Sequence, residues 1–442
     1  MTELTDDTSE RGKAGRAALN AFAVRILSAG IAYFSQILLA RWMGSADYGV
    51  FVWVWIWVLI LGGLSSLGMN ITLIRFVPEY EEQGKPDLLR GVLIGSRVVA
   101  VLISAGVAGC GLLGLMLAGD YISSQYVLPL YLALFCLPAY TLTDLHDGVG
   151  RAKSWINLAL VPPYVLRPLL ILIGMVLAKV YGLPMVATTA AGCAIIATWT
   201  ASLIQLAMIE RKLAKSIPAG MRRYDPGTWV RTSAPIWLIT ACELLIQNTD
   251  VLVLSCYLSA SDVGIYFAAL KTISLIAFVH YAVGSAIAGR LSTLNARGDR
   301  NQLAATIRDG ANWTFWPSLV GAVLLLIAGK PLLSLFGPEF TEGYMAMFVL
   351  VIGLLFRASV GPAEYVLRML GEQTACAAVL GGTAVLNVVL NLVLVPQFGM
   401  MGAASATSLS LVAATIAFLV IARRRLGLDI AVWDATRAVR PV

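Results

Sequence analysis

The sequence predicts an all-α, polytopic membrane protein with twelve transmembrane helices in two six-helix lobes. Three observations predict this fold class: an apolar composition, twelve apolar runs of spanning length, and a weak internal repeat. Of the 442 residues, 59% are apolar and 13% are charged, whereas soluble proteins have roughly 25% charged residues. With a mean hydropathy of +0.81, the chain has more apolar surface than one soluble core can bury, so lipid must cover much of it.

Each apolar run is long enough for a transmembrane helix, which needs about 20 residues. The runs fall at 17–41, 50–75, 92–117, 126–146, 155–178, 185–209, 234–257, 263–289, 311–328, 343–367, 373–395 and 403–422. The first run is too long for a cleaved signal peptide and carries Arg25, so we expect it to be the first spanning helix.

The distribution of basic residues predicts the orientation, because cytoplasmic loops of membrane proteins are rich in Lys and Arg. If the N-terminus is cytoplasmic, 23 of the 32 Lys and Arg residues lie in cytoplasmic segments and three lie outside. We therefore expect both termini in the cytoplasm. The net charge of +7 has the same explanation, so no nucleic-acid partner is expected.

Three pairs of short motifs recur at offsets of 214–217 residues. The pairs are 45–51 with 261–267, 82–84 with 296–298, and 181–182 with 398–399. Six helices per half imply a pseudo-twofold axis along the membrane normal, a layout in which transporters bind substrate between the halves. The predicted domains are a cytoplasmic tail (1–16), an N-terminal lobe (17–209), a basic cytoplasmic linker (210–232), a C-terminal lobe (233–422) and a cytoplasmic C-terminal tail (423–442).

Motifs for catalysis or cofactor binding are missing from the sequence. There is no GxxxxGK[ST] phosphate-binding loop and no nucleophile elbow. The six cysteines form no CxxC pair, and the two histidines, His146 and His280, are far apart. We therefore expect no enzyme activity, no cofactor and no metal site. A membrane-embedded glycosyltransferase would need larger outer loops than the longest expected one, 329–342, and a scaffold would give no reason for charges inside the spans.

A series of short stretches runs from about residue 20 to residue 425. They are GSADYG (44–49), LG (67–68), RFVPEY (75–80), TDVL (249–252), GIY (264–266), LFGPEF (335–340), Asn387 and Asn391 with Pro396, and FGMMGAA (398–404). In order and spacing they resemble the polysaccharide transporter, or oligosaccharide flippase, family of the multidrug/oligosaccharidyl-lipid/polysaccharide exporter superfamily.

This resemblance implies a flippase that moves a polyprenyl-diphosphate-linked oligosaccharide from the inner to the outer leaflet of the bacterial inner membrane by alternating access. Its role would be in cell-surface polysaccharide biosynthesis, such as that of lipopolysaccharide or exopolysaccharide. The implied partners are the lipid-linked oligosaccharide and membrane lipids, with polysaccharide polymerase and export machinery as further candidates. The alternative is a cation-coupled multidrug antiporter of the same superfamily.

Polar residues inside the spans are functional candidates, because burying charge in lipid is costly. Runs one and seven, which are equivalent in the two halves, each carry a polar stripe on one helical face. The stripes are Arg25, Ser28, Ala32 and Gln36, and Thr240, Glu243, Gln247 and Asp250. We interpret them as walls of a cavity, and buried hydrogen bonding between helices is the alternative.

Interior cations outnumber interior acids, which favours an anionic substrate. Arginine binds phosphate oxygens through two parallel hydrogen bonds. The predicted substrate-binding residues are Arg25, Gln36, Arg167, Lys271 and Arg357. Glu243 and Asp250 are predicted either to couple transport to an ion or to pair with these cations, Asp250 with Lys271 at similar depth. They are also the best evidence for the antiporter alternative.

Tryptophan is concentrated in run two, at Trp53, Trp55 and Trp57. A belt at the membrane interface is the simpler interpretation, and stacking against a sugar is the other.

Overall fold

A computed structural model describes the backbone of residues 2–118 and 123–434, and the side chains of residues 24, 26–117 and 123–433. All regular secondary structure in these residues is helical, which confirms the predicted all-α class. The α-helices are α1 (Thr2–Ser65), α2 (Met69–Glu82), α3 (Pro86–Ala118), α4 (Ser124–Leu134), α5 (Leu137–Ala152), α6 (Ile156–Val161), α7 (Arg167–Val180), α8 (Ala187–Ser216), α9 (Pro226–Tyr257), α10 (Ala260–Ser274), α11 (Ala277–Arg297), α12 (Arg300–Ile327), α13 (Gly329–Ser334), α14 (Tyr344–Ser359), α15 (Ala363–Met369) and α16 (Gln373–Ile421).

Within the described residues, nine helical stretches are long and apolar enough to cross a membrane, or ten if the bent pair α4 and α5 forms one span. This confirms a polytopic membrane protein. Two of the stretches, Ile26–Glu82 with 57 residues and Gln373–Leu426 with 54, exceed the roughly 20 residues of one crossing. They are interrupted at Gly44 and Gly399, whose φ angles are 77° and 56°. The count of twelve crossings and the two-lobe symmetry stay predictions.

Four of the predicted runs contain breaks that the sequence did not indicate. Run two breaks at Leu67 and Gly68, with φ of 50° and 72°. The other three breaks separate α4 from α5, α10 from α11 and α14 from α15. An ideal Cβ on Gly68 would lie 2.9 Å from the carbonyl oxygen of Ser233 in α9, so the first break lets two backbones approach closely. A close approach of two backbones does not alter the hydrophobic periodicity of the sequence, so the sequence did not predict this break.

The described chain packs into two compact units. The first comprises Met1–Met43 and Val50–Ala241, and the second comprises Gly44–Gly49 and Cys242–Val442. The helix α9 passes from the first unit into the second. The predicted lobe and linker boundaries stay predictions.

The segment between α8 and α9 is held against the first unit by hydrogen bonds. Arg90 of α3 donates from Nε to the carbonyl of Met221 at 2.9 Å and from Nη1 to that of Pro218 at 2.7 Å. At the start of α9, buried Trp229 donates from Nε1 to the hydroxyl of Tyr80 at 2.9 Å. The middle of the predicted linker is therefore a fixed part of the first unit.

Candidate functional site

Arg167 lies in the middle of a spanning segment of the first unit. It begins α7 directly after a π-helical turn, Pro162–Leu166. Proline lacks the backbone N–H that a regular helix uses, and wide π turns occur frequently at functional sites. The residue is the twelfth of the 25-residue span Ile156–Val180, about 16 Å from its first residue.

Two aromatic rings lie beside the Arg167 guanidinium. Its central carbon lies 5.3 Å from the ring centroid of Trp55 and 5.3 Å from that of Tyr140. These rings attract the cation through their π faces and limit its orientation. Among the ion pairs of the described residues, none includes Arg167. Its positive charge is therefore not neutralised by a described acid.

Asp250 is the most deeply buried acid of the predicted set, with 1% of its surface exposed. The Tyr266 hydroxyl of α10 donates to its Oδ2 at 2.8 Å, and the Thr407 hydroxyl of α16 lies 3.4 Å from the same oxygen. One carboxylate in the second unit thus joins α9, α10 and α16.

No described ion pair brings Asp250 and Lys271 into direct contact, but their opposite charges are close enough to interact, so their pairing stays a prediction. Tyr266 is the residue of α10 that faces Asp250, and Lys271 comes five residues later, about 140° further around the helix. Lys271 is instead exposed, with Nζ 4.9 Å from the ring centroid of Phe267.

Two other predicted residues of the second unit belong to ion pairs. Arg357 of α14 donates from Nη2 to Glu364 of α15 at 2.6 Å. Arg368 of α15 donates to Glu243 of α9 at 2.9 Å. The charges of Arg357 and Glu243 are therefore each compensated by an opposite charge.

Sequence reasoning missed Arg368, which the span count had placed in a loop. One signal could have found it. In α5, Asp147 pairs with Arg151 four residues later, and both positions recur 217 residues on as Glu364 and Arg368. The recurrence places an acid and an arginine at the same spacing in α5 and α15.

Two predicted residues lie on α1. Gln36 is half-buried. The side chain of Arg25 lies outside the described residues, so its role stays a prediction.

The tryptophans of run two point in two directions. The ring centroids of Trp53 and Trp57 are 6.1 Å apart, and those of Trp53 and Tyr126 are 4.8 Å apart. Trp55, on the opposite helix face, is the ring beside Arg167. Only Trp55 therefore belongs to the surroundings of a predicted substrate-binding residue.

Comparison with known proteins finds relatives that are similar in sequence. The chain is 28% identical over 197 residues to the probable flippase AglR of Haloferax volcanii, across 43% of this chain and 40% of AglR. The matched part thus spans about two fifths of that relative.

The fold is similar to solved transporter structures. The lipid II flippase MurJ in an inward closed conformation aligns with a TM-score of 0.74 at 16% identity, over 92% of this chain and 87% of MurJ. An inward-facing multidrug resistance MATE family transporter of the MOP superfamily aligns with a TM-score of 0.71 at 14% identity, over 90% of this chain and 94% of the transporter. At such identities the likeness concerns the fold.

Sequence profiles of two families match the chain. The MatE profile matches residues 235–393. The profile described as "Polysaccharide biosynthesis protein" matches residues 15–292, which is well over half of the chain. The chain therefore belongs to the polysaccharide biosynthesis protein family.

Proposed function

We propose that this protein is a flippase for a lipid-linked oligosaccharide with a polyprenyl diphosphate carrier. It moves this lipid from the inner to the outer leaflet of a bacterial cytoplasmic membrane by alternating access, for cell-surface polysaccharide biosynthesis. Both termini lie in the cytoplasm, and a polysaccharide polymerase and export machinery receive the product. The chain itself is not an enzyme.

The observation that carries this proposal is Arg167, a mid-span cation without a described acidic partner. An uncompensated charge at this depth is costly, so a bound anion would offset the cost. Trp55 and Tyr140, whose rings lie at 84° to each other, both lie on one side of the guanidinium, so N–H groups on its other side are suited to phosphate oxygens. Trp55 also offers an aromatic surface beside the anion, against which a sugar ring of the substrate can stack.

The other predicted cations contribute to different degrees. Lys271 belongs to no described ion pair, but its charge interacts with that of Asp250. Arg357 is paired with Glu364, so it binds the diphosphate only if the substrate displaces that acid. Arg167 is therefore the principal binding residue of the proposal.

Transport by purified protein tests the role of Arg167. We expect Arg167→Met in proteoliposomes to slow the appearance of a fluorescent polyprenyl-diphosphate oligosaccharide in the opposite leaflet by about tenfold or more, because a hydrogen bond to a charged group contributes roughly 1.5–3 kcal/mol. Arg167→Lys keeps the charge but loses the paired donors, so an intermediate rate is expected.

The matched control is Arg75→Met, which removes an arginine whose side chain is 67% exposed and whose ion pair with Glu79 is on the surface. This variant is expected to transport at the parental rate. Parental transport by Arg167→Met would remove Arg167 from the binding site.

The second candidate function is cation-coupled multidrug antiport, which buried Asp250 favours. A carboxylate of this burial could bind a cationic drug or a coupling ion. Efflux of a cationic dye from vesicles would favour this function over flipping if a proton or Na⁺ gradient drives it and the lipid-linked sugar does not inhibit it.

A further inference from the structure

The segment that joins α8 to α9 has a strong excess of positive charge. Residues 211–225 contain five cations and one acid. Within this segment, Arg222 and Arg223 are both exposed. The residues on either side of them, Met221 and Tyr224, are 87% and 52% exposed. The first unit therefore presents a surface on which two arginines lie between two exposed apolar side chains.

Backbone contacts fix the two arginines on α3. The N–H of Arg223 donates to the carbonyl of Asp87 at 3.0 Å, and the side chain of Arg90 donates to two carbonyls of the segment. An ideal Cβ on Gly91 would lie 1.8 Å from the carbonyl oxygen of Arg223, so glycine is needed for this close approach. Because the segment is already ordered, a ligand that binds to it pays little conformational entropy.

The same contacts place the two arginines at the level of the lipid head groups. Asp87 lies in the first turn of α3, five residues before the apolar run 92–117 begins. The Tyr224 ring reaches to 3.5 Å from an ideal Cβ on Gly95, and tyrosine is enriched at membrane interfaces. Only 17% of the most apolar part of Pro86–Leu117 is buried, so lipid covers most of α3.

The positive charge of this surface is only partly compensated. Neither Arg222 nor Arg223 belongs to an ion pair of the described residues. The acid of the segment, Asp225, caps α9 by accepting the N–H of Thr228 at 3.3 Å, and its charge interacts with that of Arg223. Arg90 adds a third guanidinium, which donates to carbonyl groups. One acid thus faces three guanidinium groups, each of which can bind phosphate oxygens through paired N–H groups.

We propose that Arg222 and Arg223 bind the phosphate of an anionic glycerophospholipid such as phosphatidylglycerol. Arg90 lies behind the segment and adds to the positive field, and Met221 and Tyr224 lie against the glycerol of the lipid. The phosphate of a bilayer lipid lies just outside the hydrocarbon region, which is the level of this surface on α3. The site is separate from Arg167 and does not depend on which substrate the protein transports.

Lipid binding by the purified protein in detergent tests this site. Native mass spectrometry counts bound phosphatidylglycerol and phosphatidylcholine molecules that carry identical acyl chains, and we expect the parental protein to retain phosphatidylglycerol preferentially. In the double variant Arg222→Gln/Arg223→Gln, the affinity for phosphatidylglycerol should fall roughly 25-fold, because each cation near an anionic lipid surface contributes about fivefold. The affinity for phosphatidylcholine, which has no net charge, should change little.

The matched control is the double variant Arg297→Gln/Arg300→Gln. It removes two exposed arginines at the junction of α11 and α12, and neither belongs to an ion pair of the described residues. The loss of charge is the same as in the first double variant. We expect this control to retain phosphatidylglycerol with the parental affinity.

Three outcomes would overturn the proposal. The first is equal retention of the two lipids by the parental protein. The second is an equal loss of phosphatidylglycerol in both double variants, which would mean a general attraction between opposite charges. The third is displacement of phosphatidylglycerol by an equal concentration of inorganic phosphate or of a polyprenyl diphosphate, which would mean a site for free phosphate or for the transported lipid. If the first double variant does not fold, Arg222→Gln alone replaces it, with an expected loss of about fivefold.

Discussion

At the scale of single residues, interior charges of the second unit differ in how they are compensated. Arg357 and Glu243 each form an ion pair with a charge on α15, whereas Asp250 accepts hydrogen bonds from hydroxyl groups and interacts with Lys271 without a described ion pair. This difference decides what a substitution measures. Removing one member of a buried or half-buried ion pair leaves the other uncompensated, so a loss of transport could reflect folding alone.

The first prediction separates these effects at Arg357. We expect Arg357→Met to lower the Tm, because Glu364, whose side chain is only 18% exposed, loses its partner. The double variant with Glu364→Gln should recover the Tm. If the double variant also flips lipid at the parental rate, the pair is structural. If it stays folded and inactive, Arg357 contacts the substrate.

The second prediction concerns Asp250 as the coupling residue. Asp250→Asn keeps an oxygen that accepts from Tyr266, so we expect a folded protein with little change in Tm. Because the amide cannot bind a proton or carry negative charge for Na⁺, transport driven by an imposed pH or Na⁺ gradient at clamped potential should be lost. A full gradient response by this variant would end the coupling role of Asp250.

At the scale of helices, close backbone contacts fix how the elements of each unit pack. Gly148 of α5 is buried at its contact with α2, and an ideal Cβ there would overlap the carbonyl oxygen of Asn70. Backbone cannot move aside as a flexible side chain can. Gly106 of α3 differs, since nothing lies within 4 Å of its ideal Cβ.

These two glycines form a matched pair for the third prediction. We expect Gly148→Ala to destabilise the protein by about 1–3 kcal/mol through overpacking. Gly106→Ala should be neutral or stabilise by up to about 1 kcal/mol, because alanine favours helix. Thermal unfolding in detergent measures both, and equal Tm values would argue against the close α2–α5 contact.

At the scale of the whole molecule, the fourth prediction is the orientation in the membrane. In a cysteine-free background, single cysteines at Met221 and Arg297, both exposed, should react with a membrane-impermeant maleimide only from the cytoplasmic side. A cysteine at exposed Glu342 should react only from outside. Labelling of 297 and 342 from the same side would contradict the twelve-span arrangement.

The driving force gives the fifth prediction. A diphosphate carries about two negative charges, and moving each outward across a potential that is negative inside is favourable by about 2.3 kcal/mol per 100 mV. We therefore expect an imposed K⁺ diffusion potential to accelerate flipping of a diphosphate-linked lipid, and its reversal to slow it. A rate independent of potential would mean that a co-transported cation compensates the charge.

The sequence by itself determined the fold class and the placement of most spans. These follow from the free energy of moving side chains into lipid. That free energy is a sum over the residues of a segment and does not depend on which other helices the segment packs against. The same additive signal identified Arg167, Arg357, Glu243 and Asp250 as interior charges. The gaps between the apolar runs contain Gly44 and Gly399, whose φ angles favour glycine.

Only the tertiary structure decided which of these charges are compensated. Glu243 and Arg368 are 125 residues apart, and whether they meet depends on how α9 and α15 pack. Asp250 meets Tyr266 rather than Lys271 because the rotation of α10 about its own axis sets which residue faces α9. Helix breaks such as the one at Gly68 likewise depend on a neighbouring backbone. Hydrophobic periodicity shows which helix face is apolar, but it does not show which residue of another helix packs against that face.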